Sequence, residues 1–229
     1  KLLVVLLFTV FMVSLVRFNI PTVKAQGTIT ETFTSQTSDG FCADQSLSYS
    51  AAHDSSVGDL FNDDDDHFRI GQWFIYNYYY LFRGFLFFDT STLPDSVNIT
   101  TVTLGLYNYS DYSDTDFNIT IQNGQPYYPH QPLVARDYYY DHYAGDGGQF
   151  NTSGFVEGYN NITFTEQGLG WIVVDGVTKL CLRSSRDIDN IAPTGSEFVE
   201  FYSADQGEDY APKLYVTYEA YSYTFHGLF

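Results

Sequence analysis

Between Gly27 and Tyr218 the chain never sustains the three-to-four-residue apolar spacing of an amphipathic helix; it breaks instead into short runs of β-branched and aromatic residues. In the first run Thr28, Thr30, Thr32 and Thr34 would line one face of a strand, with Ile29, Glu31 and Phe33 on the other. Glu31 spoils the apolar face, so this run is expected at a sheet edge. Further strand-like runs fall at His67–Gln72, Tyr80–Phe88, Thr101–Tyr109, Phe117–Gln122, Asn161–Thr165, Lys179–Arg183, Phe198–Tyr202 and Lys213–Tyr218. Turn signals such as Asn123-Gly124, Asp146-Gly147-Gly148, Asp175-Gly176 and Ala211-Pro212 separate them. Aromatic residues make up 19% of the chain, which favours pleated, half-buried surfaces over helices. The pattern implies an all-β sandwich or barrel, with residues 26–218 as one domain.

Two stretches depart from the strand pattern. Gly124 to Gly158 carries Pro126, Pro129 and Pro132 without clean alternation, and is expected as a long excursion over one edge or end of the sandwich. The tail, residues 219–229, alternates aromatic with small or polar residues. It reads as an extra strand, either at an edge of its own domain or added to a neighbouring copy's sheet.

The N-terminal segment, residues 1–25, is of another kind. Leu2 to Val16 is apolar apart from Thr9 and Ser14, follows Lys1, and is succeeded by Arg17 and Pro21. Its length suits a secretory h-region better than a membrane span of about 20 residues, and Val23-Lys24-Ala25 offers a small-residue cleavage site. A removed signal peptide is the leading reading; a retained helix packed in a filament core is the alternative, although Pro21 would interrupt it. Any membrane contact is expected through this segment alone. The chain is thus expected outside the cell or on its surface, where Cys42 and Cys181 could form a disulfide. Two separate buried thiols are the other option. Sequons at Asn98, Asn108, Asn118, Asn151 and Asn161 fit glycosylation of an exported protein.

A net charge of -18 repels phosphate backbones and argues against nucleic-acid binding. Acidic loops at Asp63, Asp64, Asp65 and Asp66, at Asp111, Asp114 and Asp116, and at Asp205, Glu208 and Asp209 could supply oxygen ligands to Ca2+. Solvated loops are the plainer reading, since none matches an EF-hand. Tyr138, Tyr139 and Tyr140 offer flat faces with hydroxyl handles for a sugar or a protein partner; in a strand they would alternate faces. The histidines show no metalloprotease spacing, and no nucleophile elbow or phosphate loop occurs, so the chain is not expected to be an enzyme. Arg83 and Arg183, inside apolar strands, read as paired structural charges.

Three stretches carry a family likeness. They are Asp66-His67-Phe68-Arg69-Ile70-Gly71; Arg83-Gly84-Phe85-Leu86-Phe87-Phe88-Asp89 with Ser91-Thr92-Leu93-Pro94 and the run from Val97 to Tyr107; and Glu200-Phe201-Tyr202-Ser203 with Ala211 to Tyr218. Together they resemble the DNRLRE-type domain, also classed with carbohydrate-binding module family 96, of secreted and surface proteins in archaea and bacteria. The resemblance implies a jelly-roll-like antiparallel β-sandwich and brings no catalytic residues with it. The expected function is a self-associating, extracellular structural subunit of a cell-surface layer or filament; the alternative is a carbohydrate-binding module or adhesin domain with a glycan as partner.

Overall fold

The computed structural model describes residues 22–224. In chain order it contains β1 (Thr22–Thr34), β2 (Gly40–Ser46), α1 (Tyr49–His53), β3 (Leu60–Asn62), β4 (His67–Ile75), β5 (Tyr78–Asp89), β6 (Asn98–Ser113), β7 (Asn118–Gln122), β8 (Gln149–Asn151), β9 (Tyr159–Thr163), α2 (Glu166–Leu169), β10 (Val177–Ser184), α3 (Ser185–Ile188), β11 (Ser196–Tyr202) and β12 (Lys213–Thr224). The twelve strands form one antiparallel, curled sheet, a half-barrel. Its order is β1-β12-β6-β11-β4-β5-β10-β7-β8, with β2 beside β5, β3 beside β2, and β9 beside β6. The all-β expectation therefore holds.

The curl comes from strands that change neighbours along their length. The first part of β6 lies between β12 and β9, whereas its later part, from Asn108, pairs with β11 after a register shift opposite Glu200 and Phe201. Strand β5 pairs with β4 as far as Phe82 opposite Gly71, and from Gly84 onward β10 takes that place. Gly71 makes the departure possible: its φ is +124°, and a Cβ there would meet the Glu197 carbonyl oxygen at 2.3 Å. Side chains on the inner face of the curl make the main core, among them Phe68, Ile70, Leu86, Phe88, Val102, Leu104, Ile121, Leu180, Val199, Phe201, Leu214 and Val216.

Every residue of β5 from Leu81 to Phe88 is buried, so both of its faces are covered. Phe82, Leu86 and Phe88 join the main core, while Leu81, Phe85 and Phe87 face a second cluster completed by Ala52, Leu133, Tyr138 and Tyr143. The proline-rich excursion supplies most of that cover. It was expected over an edge or end; instead its first part lies across the outer face of β5, because Phe85 and Phe87 would otherwise be left in water. Within it, Ala135–Tyr138 and Tyr140–His142 are short 3-10 turns.

The expected disulfide is not formed. Cys42 and Cys181 are buried free thiols in this second cluster. Cys42 sits opposite Arg83 on β2 and Cys181 opposite Phe85 on β10, so β5 runs between them. Two interstrand spacings put their Cα atoms about 9–10 Å apart or more, beyond the roughly 7 Å that a disulfide spans. Burial pushes both thiols well above the usual range, which keeps them protonated and inert.

Residues 1–21 of the hydrophobic segment and 225–229 of the tail lie outside the described residues. Glu219 to Thr224 extend β12 and pair with the start of β1, in register from Thr22 opposite Thr224. Among the described residues, no helix is long and apolar enough to cross a membrane.

Candidate functional site

The first charged cluster is sealed. Arg83, wholly buried on β5, donates from Nε and Nη2 to the two carboxylate oxygens of Asp187 at 2.9 and 2.8 Å. It also donates to the carbonyls of Tyr138 and His53, and its guanidinium lies 4.1 Å from the Tyr138 ring centroid. Arg183 reaches the same carboxylate at 2.7 Å and Gln122 Oε1 at 2.9 Å. Asp187 is delivered by α3, whose first turn Ser184 caps by accepting from the Arg186 amide. Burial pushes the Asp187 carboxyl up, but the charges of Arg83 and Arg183 and the bonds they donate outweigh it and hold it far below the usual carboxylate range. As expected of paired structural charges, Arg83 and Arg183 fasten strands to the excursion and present nothing to a ligand.

The open face is different. His67, Arg69 and Trp73 alternate along β4, and strand register brings partners beside them: Glu200 opposite Arg69, Phe198 and Phe82 opposite Gly71, Ser196 and Tyr80 opposite Trp73. Tyr112 of β6 lies opposite Phe198. The rings are in contact, with centroids 5.8 Å apart for Trp73–Tyr80, 5.6 Å for Trp73–Phe198 and 4.9 Å for the stacked pair Tyr112–Phe198. Two adjoining clefts open on this surface. One, of about 450 Å³, is lined by His67, Arg69, Trp73, Phe82, Tyr109, Tyr112, Ser196, Phe198 and Glu200. The other, of about 250 Å³, shares Arg69, Trp73 and Phe82 with it and adds Ala43, Asp44, Gln45, Asp59, Leu60 and Tyr80. Together they make one groove across β3, β2, β5, β4, β11 and β6.

Arg69 stands at the centre of this groove. Its Nε donates to Glu200 Oε1 at 2.6 Å, and its guanidinium lies 5.7 Å from the ring centroids of Phe41 and Phe82. His67 stacks on Tyr109 with centroids 4.4 Å apart, places Nδ1 2.7 Å from Asp66 Oδ1, and keeps Nε2 3.7 Å from Glu200. At the opposite end burial, and then the neighbouring Asp59, raise the Asp44 carboxyl above its ordinary value. Flat ring faces with carboxylates and a guanidinium at their edges suit a ligand that is apolar on its faces and hydroxylated at its rim.

The other expected site residues are dispersed. Tyr138 is no ligand face: it is fully buried, donates from its hydroxyl to the Ala52 carbonyl at 2.7 Å, and underlies Arg83. In a 3-10 turn, successive side chains do not alternate as they would in a strand, and Tyr138 turns into the core. Tyr140 is half-buried with its ring 5.8 Å from the Arg83 guanidinium, and Tyr139 lines a separate cleft with Tyr128, Arg136 and His142. The expected calcium ligands are not assembled either. Among the described residues no three His, Cys, Asp or Glu side chains are arranged to hold a metal ion. Asp64, Asp65, Asp66, Asp205 and Asp209 are exposed, Asp63 is half-buried, and Asp65 and Asp66 are engaged by Asn62 and His67.

A carboxylate overlooked in the sequence lies beneath that acidic loop. Asp39 is fully buried, both its oxygens accept from the Ala204 amide at 3.2 Å, and burial pushes its carboxyl up to about 7. Of the sequon residues, Asn98, Asn151 and Asn161 are exposed, while Asn108 and Asn118 are half-buried. Asn118 and Asn151 face each other across β7 and β8 with a 2.7 Å hydrogen bond between their side chains.

No family model and no curated protein matches the chain, so the likeness to the DNRLRE-type domain stands on its three stretches, two of which contribute Arg69 and Glu200 to the groove.

Proposed function

We propose that this chain is an extracellular carbohydrate-binding module of jelly-roll type and that a glycan lies along the groove centred on Trp73. One observation carries the reading: the Trp73, Tyr80, Phe198 and Tyr112 rings share an open sheet face with the Arg69–Glu200 pair. Sugar rings have flat C–H faces that stack on aromatic rings, and equatorial hydroxyls that exchange hydrogen bonds with charged groups. The resemblance drawn from the sequence supports the same class of ligand. Affinity electrophoresis through gels containing single polysaccharides tests it. Retardation of the parent chain by at least one polymer is expected, with its loss in Trp73→Ala at unchanged circular dichroism. If no polymer retards the parent chain, the reading fails.

A second reading, a self-associating subunit of a surface layer or filament, has its own support in β1. This strand ends the sheet, runs from Thr22 to Thr34, and among the described residues pairs only with β12, so none of them covers its outer hydrogen-bonding edge, where another strand could add. Light scattering coupled to size-exclusion chromatography would separate the two readings: a concentration-independent monomer removes self-association.

A further inference from the structure

Beside His67, which is held against Asp66, the groove has one strongly basic lining residue among the described residues, and it is paired with a carboxylate. Among the described residues, Arg69 is the sole lysine or arginine around either cleft. Its partner Glu200 is 3% exposed and cannot swing aside into water, so the 2.6 Å ion pair is a fixed part of the floor. The remaining charged neighbours are Asp44 and Asp59 at one end, Glu200 in the middle, and Asp66 against His67 at the other. Carboxylates therefore flank the groove at both ends, and the chain as a whole carries a net charge of -18.

Resting on the glycan reading above, we infer that the groove selects uncharged glycans and rejects acidic ones. A neutral sugar stacks on Trp73 and Tyr112 and donates a hydroxyl proton to the exposed Asp59 at the rim. An acidic sugar brings a carboxylate that meets a guanidinium whose charge Glu200 already balances, and it faces negative charge at both ends. Specificity arises here from repulsion as much as from contact. Glu200 is then the residue that sets it, because it cancels the one charge that could welcome an anion.

The test compares gels containing hydroxyethylcellulose or galactomannan with gels containing polygalacturonate or hyaluronate, using the parent chain and Glu200→Gln. Retardation by a neutral polymer is expected, with retardation by the acidic polymers weaker by about ten-fold or more. Glu200→Gln, which keeps the shape and frees Arg69, should gain retardation in polygalacturonate that disappears at high salt. Acidic polymers retarding the parent chain as strongly as neutral ones would overturn the inference and leave glycan binding standing. Retardation by neither class would instead remove the glycan reading itself, and the selectivity with it. Should Glu200→Gln fail to fold, the comparison of neutral with acidic gels on the parent chain still decides the matter.

Discussion

Two regions built on neighbouring strands use the same ion-pair chemistry to different ends. On the outer face of β5, Arg83 meets Asp187 with both groups essentially fully buried. On the groove face, Arg69 of β4 meets Glu200 with the carboxylate buried and the arginine side chain 37% exposed. What differs is cover: the excursion closes over Arg83 with Tyr138 and Leu133, whereas nothing among the described residues closes over Arg69. A guanidinium sealed under a lid serves as a rivet; one left at the surface can also meet a ligand.

The strongest way to break this contrast is to empty the sealed site. Asp187→Ala leaves two buried guanidinium groups without their counter-charge and should cost about 3–5 kcal/mol in denaturant unfolding. If the loss is no larger than for Glu200→Ala on the open side, the distinction between rivet and surface pair collapses. Next in size is Asp39, whose folded carboxyl titrates at about 7, above its unfolded value of about 3.9. The folded chain holds this proton more tightly, so the contribution is full below about pH 4 and lost as pH rises through about 7. Asp187 has the opposite sign, because its depressed carboxyl stabilises above about pH 4 and ceases to do so below it. Thermal stability should therefore peak in mild acid, and Asp39→Asn should flatten the decline between pH 5 and 8, a span of roughly 2–4 kcal/mol.

Smaller effects sharpen the picture. Tyr138→Phe keeps the ring over Arg83 but strands the buried Ala52 carbonyl, an expected loss of about 1–2 kcal/mol in unfolding free energy. A reducing agent should leave the melting temperature unchanged, since Cys42 and Cys181 are free; a drop on reduction would restore the disulfide.

Much of the sheet was legible because its strands announce themselves. Strands β4, β5, β6, β10, β11 and β12 appear as alternating or apolar runs, and the Thr-faced first run does end the sheet. Strand β2 escaped notice because Gly40-Phe41-Cys42-Ala43-Asp44 has no alternation: it is hydrogen-bonded on both sides and its residues are buried on both faces. The Tyr138–Tyr140 run drew attention by composition, yet composition says nothing about which rings turn inward when the backbone tightens to a 3-10 turn. The groove is a product of register. Arg69, Trp73, Tyr80, Tyr112, Phe198 and Glu200 come from four strands, and only pairing puts them side by side. A faint signal existed in the alternate positions His67, Arg69 and Trp73 and in Ser196, Phe198, Glu200 and Tyr202, where aromatic and charged residues share the face that water would be expected to claim.

The pairing of β1 with β12 has a mechanical side. Because Thr22 lies opposite Thr224, a force that pulls these two positions apart loads one rung of the ladder at a time, and the pair peels open at low tension. A force that enters at Thr22 and leaves through Lys213, at the far end of the ladder, acts along the strands instead and drags β1 past β12 with all the rungs sharing the load. The same strands would then yield like a zipper in one direction and hold like a glued joint in the other.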